Sequence, residues 1–183
     1  SCIVENERRN REVIAVTSWL VSKGRRVLVL IQRKWHGRKL LELFNDDGVT
    51  AAFTFGGKQL TYMEGSRARN TRFTEEWVEK FRSSEVPVLI ASQVMDEGVD
   101  FPHLDAVVLA GTGRSPIKTV QRAFRGMTAA TGKTDTVIVD FYDQSNWILK
   151  AQSDARIRAY ESEEIEVIHD YPAGFVAGSD GGA

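Results

Sequence analysis

The chain has 183 residues, 42% hydrophobic and 27% charged, with a formal net charge of -1. That length suits one domain with a short appendage and can bury a core without disulfides or metals. The near-neutral balance excludes a uniformly basic nucleic-acid coat, so phosphate contacts must come from a local patch. The lone cysteine, Cys2, allows neither an internal disulfide nor a cysteine-based zinc site.

No run of 18 apolar residues occurs, so no membrane-spanning helix is expected. Ser1 to Asn6 lacks signal-peptide character, and a cytoplasmic or nucleoid-associated location is expected. The first residue is not Met, so the chain reads as a fragment or processed product.

The predicted elements alternate. Asn6 to Lys23 carries Val13, Val16 and Leu20 on one helical face, and Gly24 is placed to end it. Val27 to Ile31 is a continuous apolar run rich in β-branched residues, the pattern of a strand buried on both faces. Leu40, Leu41, Leu43 and Phe44 predict a short helix, and Thr50 to Phe55 a second strand. Lys58 to Asn70 is a polar stretch in which Arg67 and Arg69 are expected on a solvated loop. Phe73, Trp77, Val78 and Phe81 share a helical face. Pro87 to Ala91 and Ala106 to Ala110 are further strands, Ser115 to Met127 a helix begun by Ser-Pro, and Val137 to Phe141 the fifth strand. Beyond Asp143, Gln144 to Glu161 reads as a helix and Glu164 to Tyr171 as a last strand.

Such alternation predicts an α/β fold, a doubly wound parallel sheet flanked by helices, with a C-terminal helix-strand appendage. The expected boundaries are 1–143 for the domain, 144–175 for the appendage and 176–183 for a flexible tail. Ligands of such sheets gather where strands end, here after Ile31, Phe55, Ala91 and Ala110.

Two segments carry candidate chemistry. Ala91 to Pro102 leaves a buried strand and packs Ser92, Gly98 and Asp100 into one turn. Ser92 and neighbouring amides suit a phosphate, Gly98 a close backbone approach, and Asp100 a ribose hydroxyl or an arginine. Alone, the segment reads more readily as a strand-to-helix loop with solvated carboxylates. In Ser115 to Met127, Ile117, Val120, Phe124 and Met127 form the buried stripe, and Gln121 and Arg125 stand one turn apart beside it. A guanidinium there suits phosphate oxygens, although alone it reads as a solvated basic face.

Together the segments resemble motifs V and VI of superfamily 2 helicases, in the family's order and separation. Ala91-Ser92, Gly98, Asp100 and Pro102 match the first, and Gln121, Arg122 and Arg125 the second. Val27 to Ile31 with Gln32-Arg33 resembles motif IV, and Phe55-Gly56-Gly57-Lys58 the small glycine motif after it. The similarity spans Arg25 to Asp143 and points to the branch of phage and XPB-like DNA helicases.

The resemblance implies a second, C-terminal RecA-like domain of an ATP-dependent helicase or translocase. It implies that Arg125 is an arginine finger and that Gln121 organises the same cleft. Gly98, Asp100 and Arg122 would meet the nucleotide. Arg33, Lys58, Ser92 and Gln93 would touch the nucleic-acid backbone, with DNA rather than RNA as substrate. ATP and Mg²⁺ would be held mainly by an absent N-terminal RecA-like domain, the implied partner, so this chain alone should be inactive.

Two positions depart from the pattern. Phe124 replaces a glycine, and Thr128 replaces the second arginine of motif VI. Either Arg114 or Lys133 substitutes, or hydrolysis is slow or lost and the domain is a binding module. A different doubly wound enzyme, such as a transferase, is the third reading.

Gly126 to Thr134 imitates a phosphate loop but has five residues, not four, before Gly-Lys-Thr, and it precedes a strand. His36, His103 and His169 form no metal spacing, and no metal site is expected. Trp77, Trp19 and Trp147 read as packing residues; Trp35 reads as packing or as a platform for a base.

Overall fold

The computed structural model describes residues 6–56, 58–92, 104–111, 137–144, 147–162, 165–170 and 174–175. Helix α1, Glu7–Ser22, begins where the side chain of Asn6 accepts a hydrogen bond from the Arg9 N–H at 3.1 Å. It ends at Gly24 as the sequence predicts. Gly24 N–H donates to Val21 O and Arg25 N–H to Leu20 O, bonds that help satisfy the carbonyls of the last turn.

Strands β1 (Val27–Ile31), β2 (Ala51–Phe55), β3 (Gln59–Glu64), β4 (Arg67–Arg72), β5 (Val88–Ser92), β6 (Ala106–Leu109) and β7 (Val137–Asp140) form one sheet among the described residues. The order is β4-β3-β2-β5-β1-β6-β7. From β2 to β7 every pairing is parallel, as expected, whereas β2-β3 and β3-β4 are antiparallel.

Helices α1 and α2 (Lys34–Asp46) cover one face; α3 (Glu75–Arg82) and α4 (Trp147–Ser162) cover the other. Strand β1 shows why the sheet is a middle layer. Val27, Val29 and Ile31 enter the α1-α2 core, and Leu28 and Leu30 the opposite one. A side chain buried to this degree contributes about 1.5–3 kcal/mol, so an uninterrupted apolar strand is worth most at the centre of the sheet.

Helix α2 is longer than its leucines predict, because its first turn is held by buried His36 and by Gly37. A Cβ on Gly37 would lie 2.3 Å from the Phe53 ring, so only glycine lets α2 rest on β2.

Three expectations are corrected. The polar stretch after Lys58 is a hairpin, not a loop: β3 and β4 pair from Gln59↔Arg72 to Glu64↔Arg67 around Gly65-Ser66, with Gly65 at φ 58°. Arg69 is ordered by an ion pair with Glu64 at 2.8 Å. The predicted last strand does not form over residues 165–170. Ile165 and Val167 dock on the α3-α4 core with strand-like alternation, but no sheet strand pairs with them. Trp147 is 80% exposed and is no packing residue.

Helix α4 buries polar groups. Arg156 donates to Asp140 at 2.6 Å and to Phe141 O at 3.2 Å, and the Tyr160 hydroxyl donates to the same Asp140 carboxylate at 3.0 Å. Burial and the Asp140 charge push the Tyr160 phenol well above its ordinary value.

Candidate nucleic-acid interface

The parallel strands end along a common edge. Ile31 lies in register with Ser92, Leu30 with Ala91 and Leu109, and Thr54 with Ala91. The chain leaves this edge through Arg33 after β1, the Gly56 turn after β2, Ser92 at the end of β5 and Gly111 after β6.

Arg33 is the N-terminal cap residue of α2, extended at φ -119° and ψ 130°, with no side-chain capping bond. Its side chain is exposed. Lys58 is also exposed, on a turn fixed from three sides. Gly56 N–H donates to Ser92 Oγ at 3.3 Å, Thr54 Oγ1 donates to Gln59 O at 2.8 Å, and Phe73 N–H donates to Lys58 O at 3.1 Å. Ser92 is only 2% exposed, so its hydroxyl ties the end of β5 to the turn carrying Lys58.

The sequence places the exit after Ala110 on this edge, but not the close approach that Gly111 makes there. A Cβ there would lie 2.9 Å from the Gln32 backbone nitrogen, and the Gly111 N–H donates to Leu30 O at 3.0 Å. This close approach sets the exit of β6 directly against the exit of β1. The strand-end rule marked the loop but not the approach, because a single glycine after a strand is common to many turns.

Gln93, Gly98, Asp100, Gln121, Arg122 and Arg125 lie outside the described residues, as do Phe124, Thr128 and His103. Of the predicted site, the structure therefore brings Arg33, Lys58 and Ser92 to one edge of the sheet.

Behind the edge, on the α1-α2 face, lies a buried polar cluster. Arg9 Nη1 donates to Asp143 Oδ1 at 2.7 Å, and its guanidinium sits 4.8 Å from the centre of the Phe141 ring. Burial lowers the Arg9 pKa despite the charges of Asp143 and Asp140. His36 Nε2 lies 3.0 Å from Asn10 Oδ1. Burial, reinforced by the charges of Arg9 and Lys39, lowers the His36 pKa to about 4 and keeps the ring neutral at ordinary pH. His36 is thus a structural residue, while His169 is solvent-exposed.

Trp35, in the first turn of α2, is 44% exposed. Trp77 packs against Tyr62 with ring centres 5.0 Å apart, and Trp19 meets Phe175 edge-on at 5.9 Å.

Residues 9–129 match the family described as helicase conserved C-terminal domain. The chain is 29% identical over 138 residues to "Putative helicase 22" of Sulfolobus islandicus filamentous virus, covering 74% of this chain and 22% of that protein. It is 26% identical over 99 residues to "Putative ATP-dependent DNA helicase fml2" of Schizosaccharomyces pombe, covering 54% of this chain and 12% of that protein. The chain spans about a quarter or less of the length of the curated relatives it matches. Among solved structures, T4 UvsW superposes with a TM-score of 0.59 over 86% of this chain and 33% of its own, at 19% identity, a likeness of fold. With a family match across most of the chain, the protein belongs to the helicase conserved C-terminal domain family.

Proposed function

We propose that this chain is the second motor domain of an ATP-dependent DNA helicase or translocase, in the branch of phage and XPB-like enzymes. The observation that carries the proposal is the gathering of Arg33, Lys58 and Ser92 at the strand-exit edge of a domain whose sequence matches the helicase family. Arg33 and Lys58 contact phosphates there, and Ser92 works through the Gly56 turn. Phosphate contacts carry no base identity, which suits a motor that steps along any sequence. The name of the fml2 relative supports DNA as the substrate.

The domain comprises 1–143, with 144–175 appended and 176–183 as a tail, and it works beside a first RecA-like domain. In this reading Gly98, Asp100 and Arg122 meet the nucleotide, Gln121 organises the cleft, Gln93 joins the backbone track and Arg125 reaches the γ-phosphate. ATP and Mg²⁺ are held chiefly by the first domain, so this chain alone does not hydrolyse ATP. Among the described residues no cluster of three or more His, Cys, Asp or Glu could hold a metal. A cytoplasmic or nucleoid-associated location goes with this substrate; no helix among the described residues is long and apolar enough to cross a membrane.

The test is the DNA-stimulated ATPase rate of the intact protein with Arg125→Ala. A finger of this class is worth roughly three to five orders of magnitude in rate. An unchanged rate removes Arg125 from the mechanism. Thr128 favours a second reading, a nucleic-acid-binding module with impaired hydrolysis. In that case the intact protein binds single-stranded DNA without turning over ATP.

A further inference from the structure

A hollow opens where the first turns of α2 face the β3-β4 hairpin. Phe55 of β2 forms part of its floor, Gln59 of β3 and Asn70 of β4 line one side, and Lys34 and Arg38 of α2 line the other. The register explains the assembly. Phe55 pairs with Gln59 and Phe53 with Thr61, while Thr61 pairs with Asn70, so these side chains share the face that α2 covers. Gly37 brings α2 onto the Phe53 ring, which places Lys34 and Arg38, one helical turn apart, beside that row.

The chemistry is uneven in a telling way. Phe55 keeps 42% of its surface in solvent, an exposed aromatic among the polar side chains that line the hollow. Thr61 Oγ1 donates to Asn70 Oδ1 at 2.8 Å, which orients the carboxamide and leaves its NH₂ to donate outward. Lys34 and Arg38 are exposed, and among the described residues no carboxylate pairs with either. Arg72, opposite Gln59, adds a third cation to the same face.

We propose that this hollow binds one unstacked nucleotide of a single-stranded nucleic acid. The base lies on Phe55, the amides of Gln59 and Asn70 meet its edge, and Lys34 and Arg38 hold the neighbouring phosphate. An aromatic platform beside a cationic groove is the arrangement that binds single strands with little sequence preference. The hollow is shallow, so the base stacks on its floor rather than being engulfed. This deepens the motor reading and rests on it. It extends the backbone track of Arg33 and Lys58 sideways onto the hairpin and adds a contact to a base.

The test measures binding of this chain to a short oligothymidylate, to oligouridylate and to an abasic deoxyribose oligomer of equal length. Phe55→Leu keeps the apolar volume and removes the ring. It is expected to weaken binding to the oligomers with bases by roughly five- to a hundredfold, the size of one stacking contact, and to leave abasic binding unchanged. Asn70→Ala, on an exposed edge strand, is a second variant that loses base-dependent affinity without threatening the core. Lys34→Ala with Arg38→Ala weakens all three ligands. A loss confined to thymidylate or to uridylate identifies the strand as DNA or RNA, and either supports the site. If the wild-type chain binds base-bearing and abasic oligomers equally, or Phe55→Leu and Asn70→Ala leave their ratio unchanged, the nucleotide site is overturned while the backbone track stands. If it binds none of them, both readings fall.

Discussion

Arg9 and Asp143 stand 134 positions apart in sequence, yet the Arg9 guanidinium donates to the Asp143 carboxylate at 2.7 Å. The Asp143 N–H in turn bonds to Ser153 Oγ of α4 at 3.1 Å. Asp143 therefore joins the helix layers on opposite faces of the sheet, just beyond the end of β7. The side chains of Arg9 and Asp143 are 6% and 15% exposed, and Arg9 Nε and Nη2 have no hydrogen-bond partner. Replacing Asp143 with Ala strands a buried cation, and unfolding in urea should show a loss of roughly 3–5 kcal/mol. Arg9→Met combined with Asp143→Leu should recover most of it, since an apolar pair needs no compensation. If the double variant is as unstable as Asp143→Ala, the cost lies elsewhere.

His36 gives the fold an acid-sensitive point. Its pKa falls from an unfolded value near 6.5 to about 4 in the folded chain. The unfolded state therefore binds the proton first as pH falls. The stability of the neutral ring is fully present above pH 6.5, declines between 6.5 and 4, and is gone below 4. The lowering corresponds to roughly 3 kcal/mol. Carboxylates titrate in the same window, so the measurement is the difference between wild type and His36→Gln at pH 7 and pH 4.5. The variant should lose less stability on acidification than the wild type; parallel losses would clear His36 of the effect.

Gly37 and Phe53 should behave as one unit. Gly37→Ala gains about 1 kcal/mol of helix propensity but drives a Cβ against the Phe53 ring, and such overpacking costs about 1–3 kcal/mol. Net destabilisation is expected, and Phe53→Leu on that background should relieve part of it. A double-mutant cycle with no coupling would show that α2 shifts freely on β2.

The core was legible in the sequence because apolar periodicity is a burial signal. Val27 to Ile31, Pro87 to Ala91 and the Val13-Val16-Leu20 face all report their surroundings directly. The β3-β4 hairpin was not legible, because every residue of β4 is exposed and its stability comes from the backbone ladder. Helix α4 was read for its length, but not for how it docks, since its buried face is Ser153, Arg156 and Tyr160. Ion pairs leave no periodic trace. At the candidate site, Arg33 and Lys58 were found through motif resemblance. The Gly111 approach and the hairpin hollow depend on strand register, which no single segment encodes.

The backbone track makes a prediction about salt. Each phosphate neutralised on a single strand releases counterions, so affinity falls with salt at a slope of roughly 0.7 per contact. Arg33→Ala and Lys58→Ala should each reduce the slope of log K against log salt by about that amount. Lys23 provides the control. It lies just before β1, at the opposite edge of the sheet, with its ammonium 5.9 Å from the Trp19 ring. Lys23→Ala removes the same charge from the chain but no phosphate contact, so its slope should match that of the wild type. Equal reductions at all three positions would mean that the slope reports net charge alone, and the strand-exit edge would lose its claim to the nucleic acid.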